Sequence, residues 1–161
     1  MKKLRILTTA IIVMAFSTIS VAQCKYSLNE KDKFTGVLKI ETSSEILHKD
    51  FNSAISFSFC KYDSLYFVKV GLNLTDKIYS IVKGDKLMLI CGSTTVTLQS
   101  LDTKVVQGFV YMDYIITKEQ LRIINQFNIS DIRIYLRDSY IEKTILVKRA
   151  EKIMQLSNCV N

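Results

Sequence analysis

The chain has 161 residues, 48% of them hydrophobic and 23% charged, with a formal charge of +7 and no proline or tryptophan. That length suits one domain with a real core. The composition excludes low-complexity and linker architecture, and the charge is too thinly spread to mark a nucleic-acid-binding surface.

Met1 to Arg5 is short and basic, Ile6 to Phe16 is mostly apolar, and Ser20-Val21-Ala22 offers small residues at the positions a signal peptidase reads. This is the anatomy of a secretory signal peptide cut between Ala22 and Gln23. The apolar run is too short to span a bilayer comfortably, and no second run of spanning length follows. Loss of Lys2, Lys3 and Arg5 lowers the charge from +7 to +4 and leaves residues 23–161 as a single β-rich domain. The location expected is periplasmic or secreted. A lipoprotein anchored through Cys24 is the alternative, disfavoured because Gln23 stands where lipidation signals place a small residue.

Cys24 to Lys33 reads as irregular, and Phe34 to Glu41 as a first strand. Thr42 to Asn52 is ambiguous, with Ser43-Ser44-Glu45 able to open a helical turn. Ala54 to Leu72 reads as a hairpin turning at Asp63-Ser64. Its register pairs Phe59 with Val68, Phe57 with Val70 and Ile55 with Leu72, leaving Ser56, Ser58, Cys60 and Lys69 on the other face. Tyr79 to Gln99 reads as a three-stranded meander turning at Gly84-Asp85 and Gly92-Ser93, with Leu89 opposite Val96 and Leu87 opposite Leu98. Ser100 to Gly108 reads as a crossing segment.

Val110, Met112, Tyr114 and Ile116 alternate along a strand. Thr117 to Gln120 then forms a capping box that starts a helix at Lys118, with Ile116 and Leu121 spaced as a hydrophobic staple. Leu121, Ile123, Ile124 and Phe127 share one helical arc, and Asn128 is the expected left-handed cap. Ile132, Ile134 and Leu136 begin a last hairpin with its turn at Asp138-Ser139. That register pairs Leu136 with Ile141, Ile132 with Ile145, Arg137 with Tyr140 and Tyr135 with Glu142. A helix near 148–157 ends the chain, with Ala150, Ile153, Met154 and Leu156 on one arc. The expected fold is α+β: about eight or nine mostly antiparallel strands in a curled sheet or two-layer sandwich, with a short helix near 118–127 and a C-terminal one.

Four cysteines, Cys24, Cys60, Cys91 and Cys159, remain after cleavage. In an oxidising compartment they permit two disulfides in three connectivities, with buried free thiols as the equal alternative. Their spacing lacks the close pairs of a structural zinc site, so no metal is expected. No Gly-x-Ser-x-Gly elbow, Gly-rich phosphate loop or His-Glu-x-x-His motif occurs, and nothing asks for a cofactor. His48, the single histidine, reads as a surface residue. Arg133, Tyr135, Arg137 and Tyr140 would share the outer face of the last hairpin, beside Glu142. Arginine beside tyrosine can bind phosphate, carboxylate or sugar faces, while alternating Arg and Tyr is also ordinary strand composition.

From Tyr114 the chain runs Tyr-x-Ile-Thr-x-Glu-Gln-Leu, then Ile-x-x-Ile-Arg-Ile-Tyr, a polar turn, Tyr-Ile, Lys-Arg-Ala and a final Asn-Cys-Val. Over this last third it resembles small exported proteins of Bacteroidetes-type bacteria that carry no assigned function. The resemblance implies export and fold and carries over no catalytic residue. The reading is a non-catalytic binding or interaction domain of the cell envelope, its partner an envelope protein or polymer. A small extracytoplasmic hydrolase or hydrolase inhibitor is the alternative; a deep pocket holding two of Asp113, Asp131, Glu142 and His48 would favour the enzyme.

Overall fold

A computed structural model describes residues 24–160 apart from 52, 75–84, 107–108 and 138. The segment 1–23, with the expected cleavage site at Ala22 and Gln23, lies outside the described residues. So does the Gly84 turn with the strand expected before it.

Ten strands among the described residues form one antiparallel sheet: β1 (Tyr26–Lys31), β2 (Leu38–Thr42), β3 (Glu45–Lys49), β4 (Ser53–Tyr62), β5 (Leu65–Leu74), β6 (Lys86–Cys91), β7 (Thr94–Val106), β8 (Phe109–Ile116), β9 (Ile129–Leu136) and β10 (Ser139–Thr144). Their order is β1-β2-β4-β5-β8-β7-β6-β9-β10, with β3 lying beside β4. Two helices join them, α1 (Lys118–Gln126) and α2 (Val147–Asn158).

The β4–β5 hairpin has the register expected from its alternation, with Phe59 opposite Val68, Phe57 opposite Val70 and Ile55 opposite Leu72. All six side chains are fully buried. Asp63 takes the left-handed conformation at the turn (φ 56°), which a short polar side chain tolerates. The β6–β7 pairing is also as expected, and Gly92 carries the positive φ its turn needs. The inner face of β8 adds Met112, Tyr114 and Ile116 to the core. The buried Tyr114 hydroxyl donates to Met112 Sδ at 3.2 Å.

β4 is flanked on its outer edge by two strands in succession. β2 pairs with residues 60–62 and β3 with residues 54–57. The Phe59 amide falls in the gap between them. It donates instead to the Thr42 hydroxyl at 2.9 Å, and Thr42 is wholly buried. A side-chain oxygen thus stands in for the missing strand carbonyl.

α1 starts as its capping box dictates. Gln120 N donates to Thr117 Oγ1 at 3.2 Å and Thr117 N to Gln120 Oε1 at 2.9 Å. Gln120 Nε2 also donates to the Thr97 carbonyl at 3.0 Å, tying the helix start to β7. Leu121 and Ile124 are buried, as are Ala150, Ile153 and Leu156 of α2. α2 touches α1, β3, β4 and β9. On β10, Lys143 Nζ reaches Asp50, just past β3, at 2.7 Å.

Cys24 and Cys159 form a disulfide with 5.7 Å between their Cα atoms, while Cys60 and Cys91 are buried free thiols. The four cysteines therefore divide between the two alternatives. Tyr26 OH adds a hydrogen bond to the Cys159 carbonyl at 3.3 Å.

Several expectations are corrected. β1 occupies a stretch expected to be irregular; it is an edge strand exposed along almost its whole length, so it lacks hydrophobic alternation. Phe34 lies in a loop, fully in solvent, because Asp32 turns the chain by accepting from the Phe34 and Thr35 amides. Ser43-Ser44-Glu45 opens β3 rather than a helical turn, since β4 offers a free edge there. Ser100 to Val106 does not cross the sheet. β7 continues through it along β8, with a register irregularity between Ser100 and Asp102. Asn128 is not a left-handed cap. α1 ends at Phe127, whose backbone is already extended and leads directly into β9.

Candidate functional site

The last hairpin brings together three of the four side chains expected on its outer face. β9 and β10 pair Tyr135 with Tyr140 and Arg133 with Glu142. This register is displaced by two residues from the one expected, with Ser139 already paired to Leu136 instead of standing in the turn. A shift of two keeps every side chain on its face, which is why the face survived the error. Arg133 Nε donates to Glu142 Oε2 at 2.6 Å, and Nη1 donates to the Tyr135 hydroxyl at 3.3 Å. Its guanidinium lies 4.9 Å from the centre of the Tyr140 ring, and the two tyrosine rings are 6.2 Å apart. The hydrogen bonds that Arg133 donates to Tyr135 and Glu142 hold its pKa above its ordinary value. Arg137 stands in the turn, exposed and outside this cluster.

This arginine is thus already satisfied: a carboxylate, a hydroxyl and an aromatic face take up its donors and its charge. An incoming anion would have to displace Glu142. The adjoining depression holds Asp131 and Glu142, two of the four groups that would mark an enzyme, but it is only about 130 Å³, below the range of ligand sites. Asp131 accepts from the Thr144 hydroxyl at 2.9 Å, so both carboxylates have partners. His48 Nε2 is 3.4 Å from Asp50 Oδ2 with a quarter of its side chain exposed, and no metal-ligand cluster occurs among the described residues.

A larger groove lies elsewhere, on the outward face of the sheet. It measures about 320 Å³ and is lined by Glu41, Ser44, Ser56, Ser58, Lys69, Gly71, Asp102, Lys104, Tyr111 and Asp113. Strand pairing explains its composition. Ser58 stands opposite Lys69, Lys69 opposite Asp113, and Asp113 opposite Asp102, giving one polar row across β4, β5, β8 and β7. The next row runs Ser56, Gly71, Tyr111, Lys104. Gly71 makes the dent. A Cβ there would lie 2.6 Å from Ser56 Oγ and 3.4 Å from Tyr111 Cε1, so the phenol ring rests against the bare backbone. A strand-interior glycine costs roughly 0.5–1 kcal/mol relative to alanine, and close approach of another group is the usual reason to keep one.

Lys69 Nζ donates to Glu41 Oε2 at 2.6 Å. Burial opposes the Lys69 ammonium, but that hydrogen bond and the neighbouring groups together raise its pKa. Lys104 lies 3.5 Å from Asp102 Oδ2. Asp113 accepts no hydrogen bond among the described residues. Burial raises its pKa, against the opposing pull of Lys69 and Lys104. Cys60, beneath Glu41, is pushed up to about 12 by burial first and by the Glu41 charge second.

Along the sequence, alternation marks Ser56, Ser58, Cys60 and Lys69 as one face of a hairpin and no more of the groove. The groove's other walls come from β2, β7 and β8, and only Gly71 in the interior of a strand rich in apolar and β-branched residues was a local sign of it. Comparison with protein-family models, with curated proteins and with solved structures finds no match to this chain.

Proposed function

We propose that this is an exported, non-catalytic binding domain of the cell envelope whose ligand site is the outward groove around Gly71. The observation that carries this reading is the groove itself: about 320 Å³ of concave surface, within the size range of ligand sites. It is lined by hydroxyls, ion-paired lysines and one exposed tyrosine. The sheet is read as curled. The Lys143–Asp50 pair joins strands seven places apart in the order, which at about 4.8 Å per place would stand roughly 34 Å apart if flat. Such a curl encloses α2 and turns the groove toward solvent.

Export rests on residues 1–22 and on the resemblance of the last third to small exported proteins. The Cys24–Cys159 bond supports it, because structural disulfides form in oxidising compartments. A cysteine in a disulfide has no thiol left for a lipid thioether, so plain cleavage after Ala22 is preferred to anchoring through Cys24. N-terminal sequencing of the exported protein decides this; a blocked, lipidated Cys24 or an intact Met1 refutes it.

The groove also supports the hydrolase alternative at one point. Asp113, with its pKa raised by burial, stands directly opposite a second carboxyl group, Asp102, and two facing carboxyls in unlike surroundings are where acid–base pairs arise. The two readings separate in one experiment. Isotope-labelled protein is titrated with peptidoglycan fragments, envelope polysaccharides and peptides, and both the protein and the ligand are followed. Shifts at Tyr111, Asp113 and Lys69 with the ligand intact support binding. Ligand breakdown that disappears in Asp113→Asn replaces this reading with the enzyme.

A further inference from the structure

The groove's chemistry narrows its ligand, given the binding reading above. Five charged side chains line it. Lys69 with Glu41 and Lys104 with Asp102 are two opposed pairs, leaving Asp113 as the odd group. Among the described residues no cation of the groove is left over for a phosphate or a uronate, and one carboxyl is too little for a polycation. The inventory suits a neutral ligand whose many hydroxyls both donate and accept. Such groups can bond to a carboxyl oxygen, an ammonium already held by its partner, and the hydroxyls of Ser44 and Ser56.

A second observation is independent of the charges. Tyr111 and Phe109 project from the same face of β8, 6.3 Å apart and within 21° of parallel, both more than 40% exposed. They make a flat apolar surface that runs into the groove where Gly71 keeps the backbone low. The electron-rich face of an aromatic ring attracts the weakly positive C–H bonds of a flat saccharide ring. An extended peptide would instead seek an open strand edge or side-chain pockets. β5 and β8, which carry these residues, are paired on both sides and have no open edge here.

We propose that the Gly71 groove binds a neutral, hydroxyl-rich saccharide, with a sugar ring lying on Tyr111 and Phe109 and its hydroxyls bonded to Asp113 and the groove serines.

The test is calorimetric titration of the purified protein with neutral oligomers of glucose, mannose, xylose and N-acetylglucosamine, with oligogalacturonate and an acidic and a basic peptide as charged controls. Binding of at least one neutral oligomer is expected, weakened tenfold or more in Tyr111→Ala and in Asp113→Asn, with unchanged melting temperatures. In the unaltered protein, the ring resonances of Tyr111 and Phe109 should shift on addition of that oligomer, which decides the matter even if a variant fails to fold. Binding of oligogalacturonate instead overturns the neutrality of the ligand, and binding of a peptide instead overturns the saccharide assignment; in either case loss in Tyr111→Ala leaves the groove as a binding site. Neutral-oligomer binding that ignores both substitutions and leaves both rings unmoved overturns the site. If no probe perturbs any groove residue, the binding reading falls with it.

Discussion

Reducing one bond should test how the two ends of this chain are held. Cys24 and Cys159 are 135 residues apart in sequence. Cross-linking an unfolded loop of that length removes about 5 kcal/mol of chain entropy from the denatured state. In the native state the bond links the start of β1 to the end of α2, where Tyr26 adds one exposed hydrogen bond to the Cys159 carbonyl. β1 pairs only with β2 and is largely exposed, so its native contacts do little to offset the loss. At a urea slope of about 2 kcal/mol per molar, 5 kcal/mol moves the midpoint by roughly 2.5 M. The assay is urea unfolding of the oxidised protein, of the same protein in reductant, and of the Cys24→Ser/Cys159→Ser double variant. Because Cys60 and Cys91 are already thiols, reductant and double substitution should give the same lowered midpoint and a steeper slope, since the unfolded chain then expands. Equal midpoints for all three refute the reasoning, and so does a Cys24 that alkylates in the unreduced native protein.

The remaining predictions are local. Thr117→Ala should destabilise the protein by about 1 kcal/mol, the usual loss of a helix cap, read by chemical denaturation; an unchanged midpoint counts against the capping box. Cys60 and Cys91, buried and raised to about 12 and about 11, should resist thiol reagents at pH 8, and two thiols should appear on unfolding without reductant. The Asp32 carboxyl is held down to about 2, chiefly by the Thr35 amide and then by the Thr35 hydroxyl and the Phe34 amide. Its contribution to stability is therefore complete above the unfolded value near 4 and is lost as pH falls through 2. The urea midpoints of the native protein and of Asp32→Ala should converge along that acid limb, and a constant gap would refute the loop's hydrogen bonding. Arg133→Ala with Tyr135→Ala should leave stability within about 0.5 kcal/mol, the range of surface changes, and should spare ligand binding; loss of a partner in the still-folded variant would return the hairpin face to candidacy.

What could be read in the chain was what local periodicity encodes. The β4–β5 register was legible because a slip of one residue would send Phe57 and Phe59 to solvent. The β9–β10 register was misjudged by two because alternation fixes parity and nothing more. β1 left no trace because a strand exposed on both faces has no reason to alternate. β3 was hidden because its only strand partner among the described residues is the outer edge of β4. The groove was illegible for a related reason. Lys69 stands far before Asp102 and Asp113 in the chain and meets them only through strand pairing, so no spacing rule joins the three. The hairpin cluster, in contrast, lay within ten residues and was found, yet its arginine proved to be satisfied from within.

The disulfide has a consequence in time as well as in space. Any synthesis from the N-terminus presents Cys24 135 residues before Cys159. At 5–20 residues per second, roughly 7–27 s separate them. In that interval the chain's own thiols available to Cys24 are Cys60 and Cys91. Both end up inside the sheet, on β4 and β6. Correct pairing is then a race in which the central hairpins must sequester two thiols before an oxidant reaches them, and the order of burial chooses the bond.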